Sequence, residues 1–165
     1  MERFKGSVRI PWHAIGCALL LVASAVAADP PPLAPVTVCE VLADLPAHDG
    51  KEFAVLGRYS FRRDGRWLGQ DACRGTAGIL WLNEDSTAPK PPGNFDLDAS
   101  ALNKKFADLV KQTALGKFRF GTPDYDRWAV VFGRVEARKG DDGGKAPAEL
   151  VFRGSGVVVF LTTEK

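Results

Sequence analysis

Residues 39 to 50 read CEVLADLPAHDG and bring a thiol (Cys39), a glutamate (Glu40), an imidazole (His48) and its neighbouring aspartate (Asp49) within eleven positions. A thiol deprotonated by a nearby imidazole, itself oriented by a carboxylate, is a nucleophile, and a place at a helix N-terminus would lower the thiol pKa further. The competing reading is structural, since a cysteine delivered to an oxidising compartment pairs with another cysteine. Which one holds depends on where the chain goes and on the elements that carry these residues.

The first 28 residues read as a secretory signal. Arg3, Lys5 and Arg9 precede the apolar run AIGCALLLVASAVA, and Ala25-Val26-Ala27 or Val26-Ala27-Ala28 sets cleavage before Ala28 or before Asp29. Asp29 is the preferred mature start, because the DPPPLAP that follows forbids further helix. The apolar run is shorter than the roughly 20 residues that span a bilayer, so no stable membrane span is expected after cleavage. A lipoprotein signal would use Cys17 after Ala14-Ile15-Gly16, but such a signal has its apolar core before the cysteine, and here most of the core follows it. The expected location is the periplasm or the cell exterior.

That cut changes the charge and cysteine counts. The chain holds 22 Lys and Arg against 20 Asp and Glu; without Arg3, Lys5, Arg9 and Glu2, 19 of each remain. A neutral mature chain has no global field for nucleic acid or an anionic membrane. Cys17 leaves with the signal, so Cys39 and Cys73 form an even pair, 34 positions apart, and a disulfide is the expectation. The remaining length suits one domain, residues 36–165, behind a Pro-rich lead-in over 29–35.

Thr37-Val38-Cys39-Glu40 fits a capping box, and Val38, Val41, Leu42 and Leu45 then form one apolar face of a short helix that Pro46 is expected to end. His48-Asp49-Gly50-Lys51 reads as a turn. In EFAVLGRYSF (52–61), Phe53, Val55, Tyr59 and Phe61 share a strand face, and Gly57 in their row suggests a bulge or bend. RRDGR (62–66) is a hairpin turn, residues 67–70 are the return strand, and ILWL (79–82) reads as a third strand covered on both faces. After a Pro-rich loop, residues 99–116 are a helix with Leu102, Phe106, Leu109 and Val110 as its stripe and Gly116 as its cap. KFRF (117–120) is a short strand or an extended link. DRWAVVFGRVEAR (126–138) is a long strand, KGDDGGK a turn, and a last strand runs over 149–152 and 157–162 with Gly154-Ser155-Gly156 as its corner.

Three strands, a helix and two strands, with a short helix in front, resemble the OB-fold, a five-stranded partly open barrel. HDGKEFAVLGRYSF is similar to the approach to the first strand of many bacterial OB-fold proteins, where a D-G-K turn precedes a strand ending in V-x-G-R. Val131-Phe132-Gly133-Arg134 resembles the same element later in the chain. The resemblance covers most of residues 36–162 and points to small secreted bacterial OB-like proteins without established chemistry. A split β-sandwich is the alternative fold.

His13 leaves with the signal, and the one remaining histidine with two bridged cysteines does not make a zinc site; no cofactor is indicated. An all-oxygen calcium site would fall in Asp141-Asp142-Gly143-Gly144 or around Asp124 and Asp126; solvated turns use the same residues, and EF-hand spacing is absent. Gly154-Ser155-Gly156 lacks the strand-to-helix setting of a nucleophile elbow. OB-folds bind oligonucleotides and oligosaccharides on strands two and three and neighbouring loops. That directs attention to Arg58, Arg62, Arg63, Arg66 and Trp67, with Tyr59 and Phe61. The alternative is that the rings are core and the arginines a solvated hairpin tip. The expectation is thus an exported, disulfide-stapled OB-like binding domain for an envelope glycan, peptide or protein. A thiol enzyme or redox protein using Cys39 with His48 is the competitor.

Overall fold

The computed structural model describes residues 30–71, 73, 78–112, 125–138, 146–154 and 157–161. The signal, Gly116, KFRF, the KGDDGGK turn and Ser155-Gly156 fall outside them. The elements are β1 (Val36–Thr37), α1 (Val38–Ala43), α2 (Leu45–His48), β2 (Glu52–Arg62), β3 (Gly65–Gly69) and β4 (Ile79–Glu84), then α3 (Ala99–Gln112), β5 (Tyr125–Ala137), β6 (Ala148–Phe152) and β7 (Val158–Leu161).

Long-range pairing turns these strands into a closed barrel. β2 runs antiparallel to β3 and to β5, β3 to β4, and β5 to β6, while β4 and β6 pair in parallel and complete the circuit. The protein is mainly β, a five-stranded OB-like barrel with α3 between the third and fourth barrel strands and short helices in front. The final strand has two halves, as the glycine corner suggests: β6 and β7 both pair with β5, along different stretches.

Directly opposed residues trace one row around the circuit. It runs Asp126, Ser60, Trp67, Trp81, Glu149, Glu136, and meets β5 again ten residues from where it left. This displacement is the shear that a closed barrel of tilted strands requires. Because successive residues alternate faces, the whole row lies on one face. The other face is the interior, filled by Val55, Leu68, Leu80, Val131, Leu150 and Phe152, all buried. Tyr59 and Phe61 belong to it too, and Phe61 emerges at the end of the barrel.

The outside is dressed unevenly. Over β2 and β5, the outward residues Leu56, Val130 and Trp128 are buried, and Phe106 of α3 meets Trp128 edge-on at 5.8 Å. Phe95, held at a φ of 59°, packs edge-on against Phe132, and the Pro-rich lead-in docks here through Leu33, which bonds to Asp96 and Asp98. Over β3 and β4 no described helix or loop packs in this way, and Trp67, Ile79 and Trp81 are all partly exposed. The expectation that ILWL is buried on both faces is therefore corrected. Leu80 and Leu82 point inward and Ile79 and Trp81 outward, so the run alternates faces despite being apolar throughout.

Two other expectations change. Pro46 does not end the apolar helix; α1 stops at Asp44 and Pro46 sits in the first turn of α2, where a missing N–H costs nothing. Gly57 is not a bulge, since the ladder to β5 runs through it without an extra residue. A Cβ there would lie 2.9 Å from Val38 Cγ2 and 3.2 Å from the Gly69 carbonyl, so the glycine lets α1 press against the barrel.

The capping box forms as expected: Glu40 N donates to Thr37 Oγ1, and Thr37 N donates to Glu40 Oε2. Lys105 of α3 reaches the same carboxylate at 2.5 and 2.7 Å, tying the two helices. Burial alone would raise the Glu40 pKa, but the bonds from Lys105 and from Thr37 outweigh it and hold the value below 4.5. A depressed carboxylate stabilises the fold above its unfolded pKa and loses that contribution as pH falls through the folded value. Since Glu40 is half exposed, the pair is worth no more than about 1 kcal/mol. Lys105→Met should thus cost about that at neutral pH, and urea melts of variant and parent should converge as the pH drops well below 4.5. The Cys39–Cys73 disulfide joins α1 to the β3–β4 connection across 34 residues. Replacing both cysteines with serine should remove about 3 to 4 kcal/mol of stability, read as a lower urea midpoint with the fold retained.

Candidate ligand-binding face

The residues that looked like a catalytic group are drawn apart. Cys39 is bonded to Cys73, and its backbone N–H donates to Gln70 Oε1 at 2.9 Å. His48 Nδ1 lies 3.0 Å from the Val41 carbonyl, with the ring edge-on to Phe53 at 5.0 Å. Asp49 accepts from the Ala137 N–H at 2.8 Å and so fastens the end of β5. Glu40 is the helix cap. Each side chain serves a separate structural contact.

The arginine set divides in two. Arg58 and Arg62 share the outer face with Trp67, whereas Arg66 stands one position away on the interior face, and Arg63 is exposed in the hairpin turn. Arg58 pairs with Asp71 at 3.1 Å. Arg62 pairs at 2.7 Å with Asp126, a buried carboxylate that also accepts from Ser60 Oγ. Asp126 therefore serves an ion pair rather than a cation site, and among the described residues no group of three His, Cys, Asp or Glu could hold a metal. Arg66 closes the barrel mouth, 2.6 Å from Glu84 and 5.3 Å above the Phe152 ring. Burial opposes its charge, but Glu84 and Tyr59 outweigh burial and raise its pKa, so it stays cationic.

Trp67 keeps its place, with a partner that sequence reasoning missed. Trp67 and Trp81 are opposed on β3 and β4, with rings 6.0 Å apart and 20° from parallel. The Trp81 ring lies over Gly65, where a Cβ would fall inside the indole. The Arg138 guanidinium sits 5.9 Å from the same ring. Glu149 is the next residue of the row after Trp81, and Glu136 the next after that, paired with Arg134 at 2.7 Å. The pattern behind this was present in ILWL, whose alternate residues are Trp81 and Ile79. Arg138 and Glu149 carry no sequence signal, because they reach Trp81 only through the closure of β4 on β6.

Two near-parallel, partly exposed indoles on the outer face of β3 and β4, flanked by a carboxylate and a guanidinium, form a stacking platform with polar groups at its rim. It lies on the second and third strands of the barrel, the surface that OB-folds use for ligands. No family model, curated protein or solved structure matches the chain. Gly65→Ala should push the Trp81 indole off the hairpin at a φ of 135° that alanine rarely adopts, costing about 1 to 3 kcal/mol. The coupled-indole circular dichroism of Trp67 and Trp81 should disappear in that variant even where the barrel remains folded.

Proposed function

We propose that the chain is an exported, disulfide-stapled OB-like binding domain of the cell envelope, which holds a glycan, peptide or protein ligand on the outer face of β3 and β4. The observation that carries the reading is the Trp67–Trp81 pair, two large rings left partly exposed where α3 covers the neighbouring strands instead. Buried apolar residues need no ligand to account for them; a stacked, partly exposed pair beside charged groups is what a stacking ligand fits. Export rests on the signal-like first 28 residues and is consistent with a disulfide that reducing compartments disfavour. No described helix is long and apolar enough to cross a membrane. The thiol-enzyme alternative finds Cys39 occupied in the disulfide and His48 bonded to a backbone carbonyl.

The test is retention of the mature domain on an envelope fraction. The Trp67→Ala/Trp81→Ala double variant should lose at least about tenfold in retention, each stacked ring being worth about 1 to 3 kcal/mol. Neutralising Arg58, Arg62, Arg63 and Arg66 together should cost less. Equal retention of the double variant and the parent would remove the proposed face. Export is checked separately, by recovery from a periplasmic extract of a chain whose mass begins at residue 28 or 29.

A further inference from the structure

The sheet ends in two strands with a partner on one side only, β1 and β7. β1 is two residues long, follows a buried Pro35 and leads straight into α1, so it offers little edge. β7 differs. It lies outside the barrel circuit, paired with β5 over Trp128 to Val131, and among the described residues no strand pairs with its other edge. Residues 154–163 carry no charge and no proline, and Val158, Val159 and Leu161 are partly exposed. Phe160 is 42% exposed even though its ring meets Tyr59 edge-on and lies under the Arg127 guanidinium. Charged residues, proline and bulges are what keep an edge strand from pairing with another chain, and β7 has none of them over its length.

We infer that β7 is an interface at which two copies of this chain pair edge to edge and antiparallel, giving a symmetric dimer with one sheet running through both. Opposed residues of an antiparallel pair lie on one face, so the two-fold axis must pass through a residue. Set at Val159, the axis opposes Val159 to itself and Phe160 to Val158 of the second copy, which uses the whole strand. Charge favours a second copy in this direction. The charges nearest the run are Arg153 before it and Glu164 after it. Antiparallel pairing of identical strands brings the Arg153 end of one copy to the Glu164 end of the other, whereas parallel pairing would set arginine beside arginine. The Arg153 guanidinium bonds to the Ser86 carbonyl, a neutral acceptor that leaves its charge in place. With four strand residues a side the contact is small, so the dimer dissociates on dilution. β7 borders neither β3 nor β4, which keeps this interface separate from the ligand face.

The experiment is sedimentation equilibrium of the mature chain over a concentration series, with hydrogen exchange of the β7 amides measured at both ends of the series. A monomer–dimer equilibrium is expected, and amides of residues 158–161 should exchange more slowly at the higher concentration. Val159→Lys sets like charges against each other at the axis, and Phe160→Lys places two cations beside it; each should raise the dimer dissociation constant about tenfold or more. Because Phe160 is exposed, the urea midpoint of its variant should stay near the parent's. The Trp67→Ala/Trp81→Ala double variant should dimerise like the parent. A chain that is monomeric at every concentration would overturn the inference, as would a dimer unchanged by both lysine substitutions. A dimer lost in the double tryptophan variant but kept in the lysine variants would overturn it in favour of a contact through the indoles. β7 amides that slow only when envelope extract is added would overturn the second copy and give the edge to a foreign strand.

Discussion

Closure of the barrel through the parallel pairing of β4 and β6 is the constraint from which the rest of the structure follows. Those two strands are separated by α3 and β5 in the chain, and once they pair, every barrel strand has two neighbours and the sheet has no open edge around its circuit. The ten-residue displacement of the register tilts the strands, which is why β2 and β5 must be long and must share an edge among partners. β5 gives one side to β2 and divides the other between β6 and β7. β2 likewise passes from β1 to β3 at Gly57, where the missing side chain leaves space for Val38.

Closure also decides which apolar residues are core. The interior takes one side chain in two from each strand, and the alternate residues face outward whether or not they are polar. On β2 and β5 those outward residues meet a second layer, formed by α3, Phe95 and the docked lead-in. The disulfide and the Glu40–Lys105 pair brace that side, fixing α1 to the β3–β4 connection and to α3. On β3 and β4 no described helix or loop forms such a layer, and Trp67 and Trp81 lie outward, partly exposed.

The pattern of what was legible follows the range of the forces involved. Thr37 and Glu40 make a capping box because the groups that bond are three residues apart, and the hairpin at Arg63-Asp64 follows from turn chemistry within four. The interior set of Val55, Tyr59 and Phe61 was readable from alternation. Pro46 was misplaced because proline is tolerated in a helix's first turn as readily as beyond its last. ILWL was misread because four apolar residues look the same whether one face or both are covered. Arg66 looked like a member of the surface set with Arg62, until the pleat turned it into the barrel mouth.

The sequence by itself determined the barrel strands and α3, the cysteine pairing and the order that resembles an OB-fold, since these depend on short-range spacing, parity and composition. Only the tertiary structure decided that Trp81 stacks on Trp67, that Glu149 lies opposite Trp81 with Arg138 over the Trp81 ring, and that His48 and Asp49 serve the backbone. Their neighbours are set by strand register around a closed barrel. A shift of a single residue would turn each of those side chains to the opposite face, and no local pattern in the chain specifies which register the closure will choose.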